Sequence, residues 1–411
     1  MKGKYPREYF HNPNIQKPIE EIWDDIDAYS GEFFEDETKY HEKIDLFIPL
    51  APLEYGGKTT KGILFSQGLE YILKLYPQLK EIFFCGAYTM WSSYSWCDKA
   101  DFYLTCYENK KREEYYKNKY PNKKDIIFIP LQDADYTNEY RVAPTFFPQK
   151  LIDVICVSTP YEVKNLPFLA KTIRKYYEKY NKILKTAFIL GTKLVKKDEN
   201  NNLDYSELPA NHRKEMDEVI EILGDLKQHM GFFPFVENKD LTKYYTNSKC
   251  CVLTSLIEGK NRSLNEAMAC NTPVITFKQH NQWARGDYPI FFGNSGELAP
   301  EFTPEALADT IHKVINNLDK YEPRKNYLTY NGRKNFINTL VKYIPYYKEN
   351  IPDYQENRFH ENLWVDLATQ ANYQLGYMEF LYEKNPAITH IRGISQIDSL
   401  IKFFYSRFHI K

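Results

Sequence analysis

Short apolar runs alternate with longer amphipathic stretches through most of this 411-residue chain. In the first half, the apolar runs predict strands at 44–50, 81–85, 101–106 and 126–130. Between them the pattern predicts one helix from about Thr60 to Tyr76 and another from Glu108 to Lys119. A Gly-Gly turn, Gly56 and Gly57, follows the first strand. A second series predicts strands at 151–157, 187–190, 232–236, 250–255 and 274–277. Helices at 165–181, 211–229, 239–247, 263–270 and 304–320 alternate with them, and 191–210 reads as a polar loop. Alternation of this kind indicates parallel sheets covered by helices. The expected class is α/β, with two doubly wound units.

The ends read differently. Residues 1–44 are charged and aromatic, with Pro6, Pro13 and Pro18, and predict an irregular arm leading into a helix from Pro18 to Tyr29. In the tail, Trp364, Leu367, Ala371, Leu375, Met378 and Tyr382 recur at helical spacing, as a face packing on the body would. The final I-K-F-F-Y-S-R-F-H-I-K mixes basic and apolar residues, a composition that also suits weak peripheral contact with a membrane surface. The expected division is an arm at 1–44, domains at 45–150 and 151–330, and a helical segment at 331–411 that packs back on the body.

Composition narrows the function classes. Lys plus Arg is 54 against 55 Asp plus Glu, so nothing draws the chain to nucleic acid in general. The cysteines Cys85, Cys97, Cys106, Cys156, Cys250, Cys251 and Cys270 form no C-x-x-C pair, and several lie in apolar runs. That usage fits a reducing compartment. No signal-peptide pattern opens the sequence and no apolar run is long enough to span a bilayer, so a cytoplasmic protein is expected.

The richest stretch is C-C-V-L-T-S-L-I-E-G-K-N-R-S-L-N-E-A-M-A-C-N-T-P-V-I-T, 250–276. It reads as buried strand, polar loop, helix, turn and second buried strand. Glu258 falls just past the strand end and Glu266 in the first turn of the helix. Ligands of open parallel sheets bind in that crevice, where helix amides attract phosphate and carboxylates grip hydroxyls. Ser263-Leu264-Asn265-Glu266 also fits a helix capping box, which is a purely structural reading of Glu266.

The stretch resembles the E-x7-E segment of retaining glycosyltransferases of the GT-B fold, close to the GT4 (glycosyl transferases group 1) family, where the usual form is E-G-x-x-x-x-x-x-E-A-M-A-x-G-x-P-V-I. Glu258, Gly259, Glu266, Ala267, Met268, Ala269, Pro273, Val274 and Ile275 match. Asn271 stands where the family has Gly, and Asn is the next most tolerant residue for a left-handed backbone. The resemblance implies that Glu266 holds ribose hydroxyls, that Glu258 contacts the donor sugar, and that amides around Asn261, Ser263 and Leu264 lie near the diphosphate. Arg262 is a chemically reasonable phosphate clamp. V-S-T-P-Y-E-V-K-N, 157–165, resembles the family's G-R-x-x-x-x-K-G. Lys164 matches the lysine that neutralises the leaving diphosphate, while Ser158 or Thr159 replaces the arginine.

The resemblance is weaker over 45–150. Gly56 and Gly57 match glycines that let amides approach the donor phosphates. G-G-K-T-T also resembles the end of a P-loop, but Pro52 stands where its first glycine would be. Asp133-Ala134-Asp135 is a D-x-D, the metal-holding motif of another glycosyltransferase class. Its place after I-I-F-I-P matches instead the end of the family's N-terminal domain, with Asp135 structural. The family's donor-facing histidine is missing from F-F-C-G-A-Y-T-M-W, where Tyr88 and Trp91 are candidate acceptor-side residues.

The expected protein is thus a GT-B enzyme with two Rossmann-like domains facing a cleft. It would move a sugar from a nucleotide-diphosphate donor to a glycan, lipid-linked or glycoprotein acceptor, retaining the anomeric configuration, without a metal or other cofactor. The alternatives are a metal-dependent D-x-D or inverting glycosyltransferase, and a sugar-nucleotide-binding scaffold.

Overall fold

The computed structural model describes residues 46–350, apart from 51–53, 56–57, 67–68, 71–72, 74–76, 78, 89–96, 98, 106–109, 138–141, 146–147, 198–202, 237, 257, 259 and 278–293. The predicted arm at 1–44, and the tail beyond residue 350 with its Trp364 to Tyr382 face and basic-apolar end, lie outside the described residues. The chain divides into two compact units, Met1–Pro130 with Ile337–Lys411, and Leu131–Phe336.

In the first unit, β1 (Leu46–Leu50), β2 (Glu54–Tyr55), β3 (Lys58–Thr59) and β4 (Gly62–Ser66) come first. The helical turn α1 (Leu79–Ile82), β5 (Phe83–Tyr88), β6 (Phe102–Leu104), α2 (Lys110–Lys119) and β7 (Ile127–Ile129) follow. Five strands form one sheet in the order β1-β4-β5-β6-β7. All pairs are parallel except β1 with β4.

The helix predicted from Thr60 is not formed there. Its first part is β4, with Ile63, Leu64 and Phe65 buried, while Leu69, Glu70 and Leu73, the described residues of the remainder, are helical as predicted. A short apolar run fits a buried strand or a buried helix equally well. Its neighbours β1 and β5 decided it. The strand predicted at 81 likewise begins at Phe83, after α1. Gly86 faces Phe102 across the sheet, where a Cβ would lie 2.1 Å from the phenyl ring, so only glycine lets the strands pair with that ring in place. Tyr347 closes this unit from the far end of the chain by donating to the Lys61 carbonyl at 2.7 Å.

The second unit follows the predicted alternation closely. Its strands are β8 (Ile152–Val157), β9 (Thr186–Ile189), β10 (Lys196–Lys197), β11 (Leu203–Asp204), β12 (Gly231–Phe233), β13 (Ser248–Val252), β14 (Val274–Phe277) and β15 (Gly296–Ala299). Its helices are α3 (Leu166–Tyr180), α4 (Ala210–Leu223), α5 (Asn238–Thr246), α6 (Arg262–Ala269), α7 (Pro304–Ile315) and α8 (Pro323–Tyr330). The polar loop at 191–210 contains the hairpin β10–β11, and β15 was not predicted. The helix predicted at 211–229 ends at Leu223, because Gly224 turns left-handed (φ +53°) and a 3-10 segment completes the stretch. The helix predicted to Lys320 likewise ends at Ile315.

The six-stranded sheet runs β12-β9-β8-β13-β14-β15, every pair parallel. Helices α3, α4 and α7 bury one face with Leu169, Ile173, Met216, Val219, Leu307 and Ile311. On the other face, α5, α6 and α8 bury Leu241, Tyr245, Leu264, Met268 and Tyr327. The described cysteines are buried thiols, and burial pushes that of Cys156 up to about 12. Among the described residues no helix is long and apolar enough to cross a membrane.

Candidate functional site

The chain order in this second sheet reverses between β8 and β13. From β8 the chain moves outward to β9 and β12, then returns to β13 and moves the other way. Loops leaving two adjacent strands in opposite directions open a crevice at their carboxyl ends. The segments leaving β8 and β13 are 158–165 and 253–261, the two singled out in the sequence.

Their side chains meet. Lys164 Nζ lies 2.6 Å from Glu258 Oε1, with the two side chains 29% and 8% exposed. The same oxygen accepts from Asn261 Nδ2 at 3.1 Å. Thr254 Oγ1 donates to the carbonyls of Lys164 and Asn165 at 3.1 Å each, and the Leu256 amide donates to the Val163 carbonyl at 2.7 Å. Asn165 permits this by adopting a left-handed backbone, φ +52°, between the 3-10 turn Glu162–Lys164 and α3. Ser158 and Thr159 are half-buried at the end of β8, and Ser158 Oγ has no hydrogen-bond partner among the described residues.

Helix α6 starts differently from the capping-box reading. Asn261 is its N-cap, and Asn261 Oδ1 accepts from the Leu264 amide at 3.2 Å and from the Ser263 hydroxyl. Ser263 therefore lies inside the helix, and Glu266 sits one turn beyond its start rather than in the first turn. The buried Glu266 carboxylate accepts from Tyr245 OH at 3.1 Å. Burial, and then the Glu266 charge, hold the Tyr245 phenol well above its ordinary value, so it stays a donor. Arg262 is the first residue of α6 and half-buried. Asn271 is left-handed (φ +59°), as its place in the family's glycine position requires, and its Oδ1 accepts from the Arg324 amide at 3.3 Å.

Asp135 of the D-x-D lies in a 3-10 turn, Asp133–Tyr136. Its Oδ2 is 2.6 Å from Lys260 Nζ, with side chains 8% and 6% exposed, and accepts from the Gln132 amide at 2.8 Å. Among the described residues no group of three His, Cys, Asp or Glu is arranged to hold a metal.

In the first unit, Gly56, Gly57 and Trp91 lie outside the described residues, and Tyr88 is described only as the last residue of β5. The flanks of the glycine pair form the hairpin β2–β3, with Tyr55 opposite Lys58, so strand rather than helix follows them. The sequence reading missed Tyr245, Thr254, Asn165 and Lys260. Only Asn165, in a predicted strand-to-helix turn, carried a local signal; the others act through partners distant in sequence.

Residues 142–335 match the family model for glycosyl transferases group 1. That stretch includes Lys164, Glu258 and Glu266, and it confirms the resemblance over this unit. No curated protein sequence matches the chain. Among solved structures, sucrose-phosphate synthase from Thermosynechococcus elongatus is 16% identical with a TM-score of 0.44, covering 69% of this chain and 72% of that one. S. aureus TarM, in complex with fondaparinux, alpha-GlcNAc-glycerol and UDP, is 14% identical with a TM-score of 0.45, covering 70% and 62%. The pneumococcal O-GlcNAc transferase GtfA, in complex with UDP and GlcNAc, is 13% identical with a TM-score of 0.44, covering 71% and 63%. The chain spans less than two thirds of the length of the last two.

Proposed function

We propose that this chain, which carries a group 1 glycosyltransferase domain over residues 142–335, holds a nucleotide-diphosphate sugar in the crevice between β8 and β13 and transfers its sugar with retention, without a metal. The observation that carries the reading is the meeting of Lys164, Glu258 and Asn261 at the switch point of the sheet, beside the start of α6. A cation, a carboxylate and a helix N-terminus are the groups that a leaving diphosphate, a sugar hydroxyl and a phosphate respectively need.

In transfer, the bond between the anomeric carbon and the diphosphate oxygen breaks, and its electron pair stays on the diphosphate. The acceptor hydroxyl oxygen forms the new bond and its proton passes to the departing phosphate. Lys164, now paired with Glu258, would turn to the diphosphate and leave Glu258 to accept hydrogen bonds from the donor sugar. Arg262 would add a second cation, and the unpartnered Ser158 hydroxyl a neutral donor where the family has arginine. Glu266, fixed by Tyr245, would accept from the ribose. Metal independence is supported by Asp135, whose carboxylate is taken up by Lys260. The acceptor would be a glycan or a lipid-linked glycan.

The test is a thermal shift with UDP-, GDP-, dTDP- and ADP-sugars, followed by a transfer assay with whichever binds. A ligand at 100 times its Kd stabilises the native state by about 2.7 kcal/mol. No shift with any of them, at millimolar concentration, would refute the site.

A further inference from the structure

We infer that Lys260 and Asp135 are positioning residues of this crevice: their buried ion pair sets the place of the loop that presents Glu258 and Asn261. The inference rests on the proposed donor site and names side chains that would not touch the donor themselves.

Lysine on a loop ordinarily extends into water. Here its ammonium is buried against a carboxylate contributed from 125 positions earlier in the chain. Such a pair adds little net stability over apolar residues of the same size, yet removing one partner strands a charge. Its consequence is geometric. The loop is held where the ammonium can reach Asp135, and a shift of the loop would break this buried pair.

Asp135 is a rigid anchor. Its carboxylate closes the 3-10 turn on the Gln132 amide. The same turn takes a second hold on α6, because Asn265 Nδ2 donates to the Ala134 carbonyl at 2.9 Å. It is fixed from behind by Tyr327 OH, which donates to the Thr137 carbonyl at 2.8 Å. Residues Lys260 and Asn265 therefore grip the turn on either side of the Asn261 cap. Lys164 steadies Glu258 from the β8 side. The D-x-D motif thus contributes a brace for the donor loop.

The experiment compares Asp135→Asn, Lys260→Met and the uncharged pair Asp135→Asn with Lys260→Met, in which an oxygen at position 135 can still accept from the Gln132 amide. Melting temperature, affinity for UDP, GDP, dTDP or ADP, and hydrogen exchange of the 261–264 amides are measured for each. Both single variants should melt lower. The uncharged pair should recover most of that loss, yet bind the nucleotide at least tenfold more weakly and exchange the 261–264 amides faster than the native protein. An uncharged pair with native affinity and native exchange would make the ion pair merely structural and overturn the inference. Failure of the native protein to bind any of the four nucleotides would sink the donor site separately. The exchange comparison still decides the positioning role in that case, since it needs no ligand.

Discussion

The Lys164–Glu258 pair should respond asymmetrically to removal of its two halves. Lys164→Met leaves a carboxylate whose side chain is only 8% exposed, with one neutral donor, Asn261, at 3.1 Å. Stranding one member of a buried pair costs about 3–5 kcal/mol. The crevice is open on the lysine side, so the lower end, about 3 kcal/mol, applies. Glu258→Gln leaves an ammonium on a side chain that is 29% exposed and can swing to water. That loss belongs with surface pairs, at about 1 kcal/mol or less. For a unit of this size each kcal/mol moves the melting temperature by about 2–4 °C. Lys164→Met should therefore melt about 4–8 °C below Glu258→Gln, in the absence of ligand. Combining the two substitutions removes both charges and should bring stability back to within about 1 kcal/mol of native, a coupling expected of side chains in contact and not of distant, independent sites. Differential scanning calorimetry of the four proteins measures this. Equal losses in the two single variants, or strictly additive losses in the double variant, would refute the pairing.

Glu266→Gln removes the charge that Tyr245 and the proposed ribose share, and nucleotide affinity should fall at least tenfold, about 1.5–3 kcal/mol by isothermal titration; native affinity would leave Glu266 with a structural role alone. Transfer should proceed at full rate in excess chelator and be nearly abolished in Glu258→Ala, whereas activity that vanishes in chelator and returns with Mn²⁺ would move the chemistry to a metal site. Asn271→Ala should cost about 1–2 kcal/mol in urea denaturation because the left-handed backbone at φ +59° penalises a Cβ without a local polar partner. Asn271→Gly should cost less, losing only the hydrogen bond to the Arg324 amide, and a larger loss for Gly than for Ala would contradict that account.

The local pattern of this sequence determined the second unit nearly element by element, because strand and helix periodicity, buried runs and turn residues are properties of neighbouring positions. It also placed Lys164 and Glu258 between strand ends and helix starts, where charged groups meet ligands, whereas Glu266, expected in the first turn of α6, lies one turn further in. It did not determine β4, since Gly-Ile-Leu-Phe-Ser at 62–66 satisfies either a buried strand or a buried helix until β1 and β5 supply its partners. The start of α6 at Arg262 was also undecided, because Asn261 and Ser263 are both competent caps and the choice went to the residue that could also reach Glu258. Tertiary structure alone decided which charges pair. Lys164 finds Glu258 because β13 lies beside β8 in the sheet, and Lys260 finds Asp135 because the turn at 133–136 packs against α6. Strand order is set by burial summed over the whole unit, so no local window of the chain could carry that information.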